Sequence, residues 1–265
     1  MRRIRVRIIR AVTQFAGFGL AVLLGATTAR AAPEEIQVYM NEMDVPGEFG
    51  LDLHNNYVLS GSPALEYPGA QQSLHRYRLT PEFSYGLTPS IDLGAYLPLL
   101  TLTDQSKLTA EGIKLRVKYV APKSFAGNTW WGLNLEVGKV SRALDINPWN
   151  AELKTIVGGR SGKWLLAANL NLDFVVSGPQ PGPATLEFDA KVAYSVGAKT
   201  QLGVETFSGL GPLSRPGSLQ GEEHVAYFVA DTSIGKWDLD LGLGRGFGAS
   251  QDHWVFKAIV GVPIK

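Results

Sequence analysis

Residues Leu74–Leu99, LHRYRLTPEFSYGLTPSIDLGAYLPL, decide the fold, because they contain two consecutive runs of alternating apolar and polar side chains. The runs are separated by the tight turn Leu87–Ser90. A period of two is that of a β-strand with one apolar and one polar face. Each run has about 11 residues, which is enough for a tilted strand to cross a bilayer. The stretch therefore predicts one hairpin of a transmembrane β-barrel.

A soluble β-sandwich is the main alternative for such a pattern. Its strands are usually about five or six residues long, and they bury the apolar face. The runs here are about twice that length, and their polar face carries full charges such as Arg76, Arg78 and Glu82, as expected of strands that face a water-filled lumen.

The segment Tyr85–Gly94, YGLTPSIDLG, resembles a recurring hairpin of the MetA-pathway phenol-degradation or transporter-like outer-membrane β-barrel family. Weaker similarities lie at Gln201–Glu205 and between Trp237 and Pro263. The resemblance implies an outer-membrane barrel that passes small organic compounds, and it supplies no catalytic residues.

The amino terminus has the features of a secretory signal peptide. Five arginines between Arg2 and Arg10 precede an apolar core, and Ala29-Arg30-Ala31 provides a small-residue cleavage site. We therefore expect residues 1–31 to be a signal peptide, 32–46 a periplasmic lead-in, and 47–265 the barrel.

Composition excludes several other classes of protein. Residues 1–31 hold six Arg and no acidic residue, so the remainder carries 19 basic and 24 acidic side chains and a net charge of −5. Nothing in this balance favours nucleic acid. Cysteine is absent, which excludes disulfides and thiolate metal sites.

Alternation recurs along the chain and gives twelve runs from Phe49 to Val262, of which His224–Thr232 has ambiguous parity. Long and short connections alternate, as in outer-membrane barrels. We therefore predict an all-β, antiparallel, up-and-down transmembrane β-barrel of about 12 strands, with a bulge at Pro81. Outward aromatic residues fall into two belts near the strand ends: Tyr85, Tyr119, Trp131, Trp164, Tyr194 and Trp237 in one, and Tyr57, Tyr77, Trp149, Phe174 and Trp254 in the other.

Catalytic patterns are weak in this sequence. His54, Asn56 and Ser60 include the residue types of an outer-membrane phospholipase, but they share the inward parity, where lipid has no access, and no G-x-S-x-G elbow exists. No histidine spacing matches a metal site. We expect no enzyme, no cofactor and no metal.

The charged side chains with inward parity are predicted to line a pore: Arg76, Arg78, Glu82, Asp92, Lys114, Arg116, Lys118, Glu136, Glu152, Lys154, Asp173, Glu187, Asp189, Lys191, Glu205, Asp238 and Asp240. Basic residues gather on the second and fourth runs, and acidic residues on the eighth, ninth and eleventh. Either these two walls create a transverse field, or Glu82 and Asp92 neutralise the basic wall locally and the lumen is packed.

The expected function is a channel for passive uptake of small organic molecules across the outer membrane. A closed structural or binding barrel is the alternative, and a soluble secreted β-protein is a third. The expected partners are outer-membrane lipid, the barrel-assembly machinery and a small solute. We expect Ser208–Glu222 to be the longest loop and an inward-folding gate.

Overall fold

The computed structural model describes residues 35–103, 106–122 and 128–264, and these form a closed antiparallel barrel. Its twelve strands are β1 (Phe49–Gly61), β2 (Tyr77–Thr88), β3 (Ile91–Leu102), β4 (Leu108–Val120), β5 (Thr129–Val140), β6 (Trp149–Ser161), β7 (Trp164–Ser177), β8 (Thr185–Ser195), β9 (Thr200–Pro212), β10 (Glu223–Ile234), β11 (Trp237–Gly248) and β12 (Asp252–Gly261). Each strand pairs with its sequence neighbours, and β1 pairs with β12. The predicted up-and-down barrel is confirmed, including the tenth strand.

The two ends of the barrel carry different connections. Turns such as Pro89-Ser90 and Gly162-Lys163 lie at the end where β1 begins and β12 finishes, whereas the connections of residues 62–76 and 141–148 lie at the other end. Outer-membrane barrels have short periplasmic turns and longer extracellular loops. The end that holds the start of β1 is therefore the periplasmic end.

The outer surface is apolar, as a lipid-facing wall requires. Leu115 is 59% exposed and Leu166 is 52% exposed, although both lie in the interior of their strands. Aromatic residues of adjacent strands pair on this surface near the periplasmic end, where Trp164 and Tyr194 have ring centroids 4.9 Å apart. Such rings favour headgroup depth. The protein is an outer-membrane barrel.

The β2–β3 ladder is irregular where the bulge at Pro81 is expected. Its register shifts between Leu79 and Glu82, and the facing part of β3 contains Pro98. The β3–β4 ladder also shifts, between Tyr96 and Leu99. Because a proline cannot donate to a ladder, the two prolines lie within one irregular patch of the wall.

The expectation that Ser208–Glu222 forms the longest loop is wrong. β9 continues to Pro212 and pairs with β8 over its whole length, so only residues 213–222 connect β9 to β10. The longer connection is residues 62–76, between β1 and β2. Within the described residues, no helix is long and apolar enough to cross a membrane.

Candidate functional site: the barrel lumen

The structure places sixteen of the seventeen expected lumen residues on the inner side of the strands and Arg76 in the connection before β2, with different exposure. Asp238 is exposed at the periplasmic rim, and Glu187 and Asp240 are half-buried. The remaining fourteen are buried: Arg76, Arg78, Glu82, Asp92, Lys114, Arg116, Lys118, Glu136, Glu152, Lys154, Asp173, Asp189, Lys191 and Glu205. The alternation along the strands predicts that these side chains point inward. Their burial has a different origin.

Part of that burial comes from the segment before β1, residues 35–46, which lies inside the barrel. Its centre is Tyr39, which is only 3% exposed. The Tyr39 amide donates to Asn169 Oδ1 at 2.7 Å, and Asn169 Nδ2 donates to the Tyr39 carbonyl at 2.9 Å. Since Asn169 lies at mid-strand in β7, this paired contact fixes the segment halfway through the lumen.

The Tyr39 ring joins several strands. Lys154 Nζ lies 4.2 Å from the ring centroid, Lys118 Nζ lies 5.4 Å from it, and the guanidinium of Arg116 lies 6.0 Å from it. Three cationic groups therefore contact one aromatic ring. The Tyr39 hydroxyl bonds Tyr96 and donates to Glu136 Oε1. Residues 35–46 thus connect β3, β4, β5 and β6 across the lumen.

From Tyr39 the segment descends to the periplasmic end. Lys118 Nζ donates to the Glu42 carbonyl at 2.7 Å, and the Asp44 amide donates to Asp92 Oδ2 at 3.1 Å. Gly47 then donates its amide to the Gly86 carbonyl at 2.8 Å, next to the start of β1. The polar, irregular sequence of this stretch gave no sign of a position in the lumen, because its partners come from distant strands.

Several inward charges pair with close neighbours. Glu82 bonds His54 at 2.9 Å and Arg116 at 2.5 Å, all three being buried. On the other side, Glu205 lies 2.8 Å from Lys191 and 2.5 Å from Lys257. At these positions the contacts support local neutralisation of the charges rather than two uncompensated walls.

Above residues 35–46, on the extracellular side, the lumen opens into a cavity of about 110 Å³. We name this cavity the vestibule. It is lined by Glu35, Ile36, Gln37, Glu152, Lys154, Asn171, Glu187, Asp189, Phe207, Glu223, Val225, Tyr227, Ser250, Asp252 and Val255. Ile36 packs beneath it against a buried apolar cluster formed by Val58, Tyr227, Val229 and Val255.

Sequence reasoning missed this apolar cluster. On β10, Tyr227 and Val229 face inward, while Phe228 between them is 78% exposed on the outer surface. Both faces of the strand are therefore apolar, which is the reason for its ambiguous parity. That ambiguity was the available signal for an apolar part of the lumen wall.

One side of the extracellular mouth is covered. Leu144 of the β5–β6 connection packs on the inward cluster of Tyr96, Leu99 and Val140. The Gln71 amide of the β1–β2 connection donates to the Ala143 carbonyl at 3.0 Å. These two connections close the mouth above β3 to β5, and the vestibule lies on the opposite side of the lumen.

The structure does not bring His54 into a hydrolytic arrangement. Its Nε2 bonds Glu82, and the side chain is fully buried in the lumen wall, away from lipid. In residues 35–103, 106–122 and 128–264, no three His, Cys, Asp or Glu side chains are grouped to hold a metal ion.

Comparisons with known proteins show similarity of fold. A scan against family models and a search of curated proteins give no match. Among solved structures, the chain is similar to an outer-membrane channel from Pseudomonas putida F1 (TM-score 0.56, 15% identity, 86% of this chain and 99% of that chain). It is also similar to the KdgM porin (TM-score 0.54, 10% identity, 82% and 99%) and the NanC porin (TM-score 0.54, 9% identity, 81% and 99%).

Proposed function

We propose that this protein is a passive channel of the outer membrane for small organic solutes, with no catalytic step. The observation that carries the proposal is the vestibule, a cavity of about 110 Å³ inside a closed barrel. Cavities with an apolar surface and a few placed polar groups bind small ligands and fix their orientation. Similarity of fold to two porins and a channel supports the same class.

Residues 35–46 restrict the pore in this proposal. They occupy the lumen between the vestibule and the periplasm, and their described contacts are hydrogen bonds, ring–cation contacts and the packing of Ile36 on the apolar cluster. Each hydrogen bond contributes a net stabilisation of only about 0.5–1.5 kcal/mol. A segment held by a few such bonds can leave its position without unfolding the barrel.

The preferred solute is a small aromatic or amphipathic organic molecule. The vestibule supports this choice, since Phe207, Tyr227 and Val255 form an apolar wall beside charged side chains. The resemblance of Tyr85–Gly94 to the phenol-degradation or transporter-like barrels points to the same class of compound.

A closed structural or binding barrel is the second candidate. The burial of Tyr39 and the pairing of Glu82 with Arg116 favour it, because they fill the middle of the lumen. In that case the vestibule would hold a ligand without passing it on.

Single-channel recording in planar bilayers tests the proposal, with Tyr39→Ala as the informative variant. We name the part of the lumen that residues 35–46 occupy the constriction. Removing the Tyr39 ring opens it and exposes Arg116, Lys118 and Lys154. We therefore expect a larger conductance and a shift of the reversal potential towards anions. The matched control is Tyr85→Ala, which removes a tyrosine from the outer surface. Absence of current in both the unmodified protein and the folded Tyr39→Ala variant would support the closed barrel instead.

A further inference from the structure

The vestibule is strongly acidic. Six of its lining residues carry carboxylates, and Lys154 is the one cationic side chain among its described lining residues. Two of the acids are compensated, since Asp252 bonds Arg76 at 2.8 Å and Glu152 lies 3.1 Å from Lys154. Glu187 and Asp189, two positions apart on the same face of β8, have no ion-pair partner among the residues that the structure describes.

Two buried oxygen atoms at this place also lack partners. Asp189 and Asn171 are each only 1% exposed and line the vestibule. Asn171 Nδ2 donates to Asp189 Oδ2 at 2.8 Å, but Asp189 Oδ1 and Asn171 Oδ1 accept no hydrogen bond from any described residue. Buried polar atoms without partners are costly, so these acceptors are suited to a donor from outside the chain.

The other side of the vestibule is apolar and aromatic. Phe207 and Tyr227 form an edge-to-face pair with ring centroids 5.7 Å apart. Val225 and Val255 extend this surface, and Ile36 packs at its base. The apolar side therefore matches the hydrocarbon part of a small ligand and offers it ring faces and methyl groups.

We propose that the vestibule binds small amphipathic organic cations, such as arylalkylammonium ions. The ammonium group donates to Asp189 and Asn171 with Glu187 adding charge, and the ring lies against Phe207 and Tyr227. This inference rests on the proposed function only for the use of the site in uptake, since binding requires the vestibule alone.

Isothermal titration calorimetry on the purified, folded full-length barrel tests the proposal with benzylammonium chloride. Methylammonium supplies the charge without the ring, and benzyl alcohol the ring without the charge. We expect benzylammonium to bind more tightly than either. Calcium chloride is titrated as well, because a set of oxygen acceptors can also bind a hard cation.

Three variants locate the site. Asp189→Asn and Glu187→Gln should each weaken benzylammonium binding about tenfold, the loss expected when one charge-assisted contact is removed. Phe207→Ala should weaken the binding of benzylammonium but leave the binding of methylammonium unchanged. Glu48→Gln, which removes an exposed carboxylate at the periplasmic end, is the matched control and should leave binding unchanged.

The outcomes separate this proposal from that of the channel. Equal affinity for benzyl alcohol and benzylammonium, or binding unaffected by Asp189→Asn in a folded variant, overturns the cation site. Calcium binding that is lost in Asp189→Asn, together with benzylammonium binding that Phe207→Ala leaves unchanged, also overturns it in favour of a metal site. Binding as expected without any bilayer current upholds the cation site and rejects the channel. Bilayer current without benzylammonium binding rejects the cation site alone.

Discussion

Tyr39 and Asp189 lie in one lumen, but the polar groups around them are arranged in different ways. Around Tyr39, the cations contact the ring, its hydroxyl bonds Tyr96 and Glu136, and Glu82 holds Arg116 close by. Around Asp189, carboxylates outnumber cations. Buried oxygen atoms without a described partner occur in both regions, at Glu136 Oε2 near Tyr39 and at Asp189 Oδ1 in the vestibule. The first region is filled by residues 35–46, whereas the second is a cavity.

The difference follows from what fills each region. Residues 35–46 supply backbone donors and acceptors at the constriction, so Lys118 and Asp92 have hydrogen-bond partners there within the chain. A buried ion pair is destabilising to break, because the remaining partner keeps its charge without compensation. In the vestibule, solvent or solute can supply the missing partners. Each prediction below tests whether the two regions, or the two faces of the wall, differ in this way.

The largest effect is expected from Glu82→Gln at the constriction. The change leaves buried Arg116 and His54 without their carboxylate, and the unfolding free energy should fall by roughly 3–5 kcal/mol. Urea titration of the barrel in lipid vesicles measures it.

Asp189→Asn is the matched change in the vestibule. It removes a charge that has no described ion-pair partner, so the unfolding free energy should change by less than about 1 kcal/mol. Equal destabilisation by the two variants would contradict the distinction between constriction and vestibule.

A somewhat smaller effect is expected from Leu115→Arg on the outer surface. Leu115 lies in the interior of β4 and is 59% exposed, so an arginine there should reduce the unfolding free energy by roughly 2–4 kcal/mol. The same urea titration in vesicles provides the measurement.

The control for Leu115→Arg is a new cation in the vestibule, Asn171→Lys, which places an ammonium beside Asp189. It should lower the unfolding free energy much less than Leu115→Arg does. A new cation at Asn134 is an equivalent control, because Asn134 is also buried and its Nδ2 likewise donates to a carboxylate, that of Glu136, at 2.7 Å. A larger loss of unfolding free energy for Asn171→Lys than for Leu115→Arg would contradict the assignment of inner and outer faces.

The smallest effect is expected from shortening the β9–β10 connection. Leu213 is 56% exposed and Leu219 78% exposed, so this part of the connection lies outside the lumen. Replacement of residues 213–219 by two glycines should leave single-channel conductance unchanged. A rise as large as that from Tyr39→Ala would assign the restriction to this connection instead of to residues 35–46.

The sequence alone determined the barrel and the inner face of every strand except β10. Long alternating runs such as those in Leu74–Leu99 allow few structures, because a membrane requires every backbone group to be paired and therefore favours a closed barrel. The same alternation placed Glu82, Lys154 and Glu205 on the inner side. Strand ends were less certain, since β9 continues beyond the alternating part to Pro212.

Only the tertiary structure decided what fills the barrel. Alternation gives the direction of a side chain and carries no information about contacts across the lumen. Tyr39 and Asn169 are 130 residues apart in sequence, and Lys257 reaches the Ile36 carbonyl from the last strand. Such contacts depend on closure, which brings twelve inner faces around one short segment. The constriction and the vestibule therefore arise from long-range packing, whereas the wall that encloses them follows from a local period of two.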